Sequence, residues 1–176
     1  MPENIEDGNI FLDCLFESDF WFSPICYFFK ADSIKKILND QIVESRVGQN
    51  FQFYIPIFYF CKVSTIRQKL VHYVVRKNSH SHQRRNVNSS LTRLNDILEL
   101  KYTLLKNYKI DLKPFILRRL KNQNNQSSIK LLLDENCFWR ATKYAIVKAK
   151  YDSQTYIIFG KYFLKNTGIT KKISKI

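Results

Sequence analysis

Charge is divided along this chain near Cys61, and the division restricts it to a two-part organisation. Residues 1–60 hold nine Asp and Glu against four Lys and Arg, net −5, whereas residues 61–176 hold 25 bases and six acids, net +19. No acid occurs between positions 61 and 95, where counter-charges are ordinarily interspersed. So basic a segment repels itself when compact, and its expected counter-charge is a polyanionic partner. At 176 residues the chain is one domain, or a small domain with a long extension. Either can bury a core without disulfides.

The acidic part is dense in rings: 14 of the 26 Phe, Tyr and Trp lie in the first 60 residues. Asp32 and Ser33 are placed to cap a helix running to about Glu44, with Ile34, Ile37, Leu38 and Ile42 at helical spacing. Gly48-Gln49-Asn50 reads as a turn. The run FQFYIPIFYF, residues 51–60, reads as a buried strand, with Pro56 arguing for an edge or a bulge. So many rings in so short a segment exceed what a small core hides. Phe20, Trp21, Phe22, Phe51, Phe58 and Phe60 are therefore expected to contact protein neighbours.

Beyond Cys61 the pattern is helical. Residues 62–78 alternate bases with Val63, Ile66, Leu70, Val74 and Val75, favouring a helix, and NSHSHQRRNVNSS then reads as a linker. Ser89 or Ser90 is expected to cap a helix over about 91–107, and a second helix follows over about 112–120. NQNNQSS reads as a connector. A basic aromatic stretch begins at Cys137-Phe138-Trp139-Arg140, and a last helix is expected over 153–166 with Gly168 as its stop. The expected fold is mainly α with extended basic segments and little regular sheet, preceded by an aromatic-rich α/β extension. The expected divisions are 1–61, an acidic, aromatic-rich extension; 62–83, a basic helix and linker; and 84–176, the RNA-binding domain implied by the family resemblance set out below.

Several classes are disfavoured. Cys14, Cys26, Cys61 and Cys137 form no CxxC pair and match no common zinc spacing, so reduced thiols and no metal are expected. His72, His80 and His82 have no Cys or acid nearby at ligand spacing. Cys137 has no His within 50 residues, and no phosphate loop or nucleophile elbow occurs. An enzyme is not expected, nor a cofactor. The start MPENIEDGN is acidic, unlike a signal or transit peptide. Residues 51–61 are apolar over only 11 positions, against about 20 needed to span a bilayer, so no stable membrane insertion is expected.

The second half carries a set of short segments in a definite order: LELKYTLLK (98–106), LRRLKNQNNQSS (117–128), ENC (135–137), ATKYAIVKAKY (141–151), SQTYIIFGKYFLKNTG (153–168) and ITKKIS (169–174). In order and spacing these resemble the bacterial-type small-subunit ribosomal protein S-fourteen, over about residues 84–176. That family runs through an LKYELK-type helix, an LPRNSS connector, NRC, a basic TGRPR stretch, an LSRxxFRE helix and a basic tail. This chain lacks the Gly and Pro of the TGRPR stretch, an Arg around 154–156 and the terminal Trp. With no CxxC pairs it is similar to the zinc-free form.

The resemblance implies a structural constituent of the small ribosomal subunit, binding rRNA in the subunit head. Residue usage rich in Ile, Asn, Lys, Phe and Tyr fits AT-rich codons, and with the acidic start it points to a mitochondrial ribosome and synthesis in the organelle. The expected RNA contacts are Arg84, Arg85, Arg93, Lys101, Lys106, Arg118, Arg119, Lys121, Lys130, Arg140, Lys143, Lys148, Lys150, Lys171 and Lys172. The expected partners are small-subunit rRNA and, through the N-terminal extension, neighbouring ribosomal proteins. Two other classes remain open: a basic accessory subunit on the matrix face of a respiratory complex, and a free nucleic-acid-binding factor.

Overall fold

A computed structural model describes residues 10–18, 27–38, 42–64, 68, 70–72, 74, 86–148 and 152–166. Of these, 72% are helical and none is in a strand. The chain divides into two compact units: residues 1–85 with 96–113, and residues 86–95 with 114–176.

The first unit contains α1 (Ile10–Phe16), α2 (Ala31–Leu38), α3 (Phe51–Phe60) and most of α4 (Val87–Asn107). Helix α3 packs against both α1 and α2. Its residues Phe51, Gln52, Tyr54, Ile55, Pro56, Ile57 and Phe58 are all buried. A segment buried on most sides has no amphipathic stripe, so periodicity cannot separate a strand from a helix. That is why the strand expected at 51–60 is here a helix. Pro56 is accommodated although it has no N–H to offer the Gln52 carbonyl four residues back. Tyr54 stacks on Phe58 with ring centroids 5.4 Å apart, and Tyr27 lies 4.9 Å from Tyr54.

Gly48 enters α3 at φ 61°, and a Cβ there would sit 2.8 Å from Phe51 Cδ2 and 3.2 Å from Leu100 Cδ2. Only glycine satisfies both constraints. The Val43 N–H donates to Gln52 Oε1 at 2.8 Å. Residues 42–45 are therefore tied to α3 in a non-helical path, and α2 stops at Leu38 rather than reaching Glu44. Residues 62–64, 68, 70–72 and 74 are not helical either. Leu70 and Val74 are exposed there, so a helix over 62–78 would lack the packed apolar face that sustains one.

The second unit contains the start of α4, α5 (Pro114–Asp134), α6 (Phe138–Lys148) and α7 (Ser153–Asn166). Helix α5 packs against α6 and α7. Ile129, Leu132, Leu133 and Ala141 form the core, flanked by Val87, Leu91, Phe138, Tyr144, Ile158, Phe159 and Tyr162. Asn86 caps α4, its Oδ1 accepting the Ser89 N–H at 2.8 Å, so the cap lies three residues ahead of Ser89 and four ahead of Ser90.

Helix α5 runs unbroken through NQNNQSS, which is a correction to the connector expected there. The polar side chains of this segment have partners. Asn125 is buried and its Nδ2 donates to the Lys148 carbonyl at 2.9 Å, and Gln126 Nε2 donates to Asp152 Oδ2 at 2.7 Å. The basic aromatic stretch that begins at Cys137 forms helix α6, with Ala141 buried. Helix α7 occupies the expected 153–166, with Asp152 as its cap. Gly168 lies outside the described residues. Mainly α describes the fold, and the α/β character expected of the N-terminal part is not found among the described residues.

Candidate nucleic-acid interface

The second unit carries 14 Lys and Arg against three Asp and Glu, net +11. Two of those acids, Asp134 and Glu135, lie at the α5–α6 turn; the third, Asp152, is buried against Gln126 and Thr155. Helix α5 presents Arg118, Arg119, Lys121 and Lys130 to solvent, and helix α6 presents Arg140, Lys143 and Lys148. At about 1.5 Å per residue, the α5 bases extend over roughly 18 Å. Pro114 starts α5 at its first position, where a missing N–H costs nothing, so Arg118, Arg119 and Lys121 lie in its opening turns.

Arg140 is oriented by its neighbours. Its Nη2 donates to Asn88 Oδ1 at 2.9 Å, fixing the guanidinium beside the start of α4 while leaving it exposed. Trp139, one residue earlier, is 82% exposed, whereas Phe138 turns inward against Phe159 and Tyr162 at centroid distances of 6.0 and 6.3 Å. The aromatic run after Cys137 thus divides by side: Phe138 and Tyr144 serve the core, and Trp139 faces solvent. Lys161 on α7 is a further exposed base that belongs with this set. Its signal in the sequence was its position inside the amphipathic pattern of the last helix.

Elsewhere the expected residues fall differently. Arg93 is half-buried and Lys106 is exposed. Lys101 leaves the candidate set because it is only 4% exposed. Its Nζ donates to the Leu15 carbonyl at 2.8 Å, pairs with Glu17 Oε1 at 2.6 Å and lies 4.6 Å from the Phe51 ring centroid. Its spacing to Leu104 and Leu105 puts it on the inward stripe of α4, and that spacing was the signal available in the sequence. Phe51 and Phe58, expected as protein contacts, are also buried, because α3 is enclosed by α1, α2 and its own ring cluster. Phe60 remains 53% exposed. Arg84, Arg85, Lys150, Lys171, Lys172, Phe20, Trp21 and Phe22 lie outside the described residues.

Among the described residues, three side chains have displaced proton affinities. Burial pushes the Cys14 thiol well above the usual thiol range, against a smaller opposing pull from Lys101. Burial also raises Tyr102 and Tyr108, with Glu99 adding to Tyr102. Cys14, Cys61 and Cys137 are free thiols. Among the described residues no group of His, Cys, Asp or Glu is arranged to hold a metal, and no helix is long and apolar enough to cross a membrane. Compared with known proteins, the chain matches no family model, no curated protein and no solved structure.

Proposed function

We propose that this chain is an RNA-binding structural constituent of the small subunit of a mitochondrial ribosome, in the subunit head. The carrying observation is the charge of the second unit: net +11, with its bases exposed on α5 and α6. Phosphates supply the anions that the unit lacks, and each neutralised phosphate releases counterions. The ordered S-fourteen-like segments and the residue usage of an AT-rich genome support the ribosomal and mitochondrial parts of the reading. The work is charge neutralisation and shape fitting, so that RNA helices approach one another more closely.

Sedimentation of mitochondrial extract with EDTA, which separates the subunits, tests this. The protein is expected to follow the small subunit. Migration with the large subunit, or with detergent-solubilised respiratory complexes, overturns the assignment.

A further inference from the structure

Among the described large apolar side chains none is more exposed than Trp139, at 82%. An indole left in water on a folded helix forgoes a substantial burial gain. The next residue, Arg140, is exposed and tethered to Asn88 at 2.9 Å, and Lys143 lies one turn further on the same helix. Behind the indole, Phe138 is anchored in the core and touches it with ring centroids 5.7 Å apart. The indole is thus carried on helix α6, with Arg140 next in sequence and Lys143 one turn further along.

Charge complementarity calls for an anionic occupant, and the exposed ring calls for one with a flat π-face. A nucleotide has both, and its base face is accessible only where it is unpaired. We propose that Trp139 stacks on an unpaired RNA base whose adjoining phosphates rest on Arg140 and Lys143. Asp134 and Glu135, in the turn ahead of α6, repel phosphate from the start of the helix. The strand therefore runs along α6 from Arg140 toward Lys143. This inference rests on the RNA-binding reading above and adds to it a preference for looped or bulged RNA over duplex.

The test uses the full chain with two labelled, loop-free RNA duplexes of equal length, one with a fully paired stem and one with a single-nucleotide bulge. Trp139→Ala is expected to weaken binding to the bulged RNA about tenfold and to leave the paired stem within about twofold. Trp139→Phe, which keeps a ring, is expected to recover most of the loss. Trp139→Leu, apolar without a π-face, is not. In a Trp21→Phe background the remaining indole fluorescence should be quenched by the bulged RNA. Equal losses on both RNAs, or recovery by Leu, overturn the stacking inference and leave the RNA-binding reading standing. Failure of the unsubstituted chain to bind either RNA overturns both.

Discussion

Lys101 Nζ lies 2.6 Å from Glu17 Oε1 and 2.8 Å from the Leu15 carbonyl, so a buried ammonium on α4 closes the C-terminus of α1. The rest of that terminus is closed by backbone: Glu17 N–H reaches the Cys14 carbonyl at 3.3 Å and Ser18 N–H the Asp13 carbonyl at 3.0 Å. A seven-residue helix is too short to persist alone, and these contacts hold it. Lys101→Met keeps the stem against Phe51 but strands the Leu15 carbonyl. It is expected to cost about 2 kcal/mol, because the carbonyl is buried while Glu17 is partly solvated. A shift of the urea midpoint measures this, and RNA affinity should not change. A stable Lys101→Met chain with weakened RNA binding would return Lys101 to the interface.

Among the described residues, three helices end in a left-handed residue that is not glycine: Glu17 at φ 54°, Lys109 at φ 52° and Asn136 at φ 57°. Lys109 is exposed, and the turn it makes is completed by the Ile110 N–H to the Leu105 carbonyl at 2.8 Å. Lys109→Gly relieves the Cβ penalty without touching that bond. It should stabilise the chain by about 1 kcal/mol, read as a higher urea midpoint. An unchanged or lower midpoint contradicts a left-handed conformation at Lys109.

Two neighbours on the buried side of α5 should respond oppositely. Asn125 holds the Lys148 carbonyl at the end of α6, so Asn125→Ala loses a bond and leaves a void, costing about 1–2 kcal/mol. Ser128 is buried, and no hydrogen-bond partner for its Oγ occurs among the described residues. Ser128→Ala removes an unsatisfied hydroxyl and should be neutral or stabilising by about 1 kcal/mol. Denaturant curves of the two variants decide. Destabilisation by Ser128→Ala as large as that by Asn125→Ala would show a partner for the hydroxyl.

How far the sequence reveals this architecture depends on what each segment buries. Helix α7 was legible because Asp152 caps it and its apolar positions recur at helical spacing. Helix α5 was legible only at its start. Its middle buries Asn125 and Ser128, and an amide satisfied by the end of another helix is indistinguishable in sequence from a solvated loop residue. At α3 the difficulty is opposite: apolar on almost every side, it offers no period at all. The exposed bases on α5 and α6 were readable from charge alone, whereas Lys101 required weighing its position on the inward stripe above its charge.

Stability should fall in alkali through Cys14. Burial holds its thiol protonated in the folded chain at pH values where the unfolded chain, with an ordinary value of 9.0, has lost the proton. The contribution is fully present below about pH 9 and declines by roughly 1.4 kcal/mol per pH unit above it. Cys14→Ala removes this component, while Tyr102 and Tyr108 act equally in both chains. Urea midpoints of the two chains should therefore converge between about pH 8 and about pH 10. Parallel curves would place Cys14 outside the core.

The central claim is that the second unit binds RNA through the exposed bases of α5 and α6. The most direct test is the affinity of the full chain for a structured RNA hairpin across a salt series. It should compare the natural chain with a triple variant carrying Arg118→Gln, Lys121→Gln and Lys143→Gln, and with Lys101→Met as control. In the natural chain log affinity should fall steeply and linearly with log salt. The slope should be shallower by about 2 in the triple variant, at roughly 0.7–0.9 per lost phosphate contact, and unchanged in the control. A slope near zero in the natural chain, or a slope unaffected by the triple variant, would contradict it.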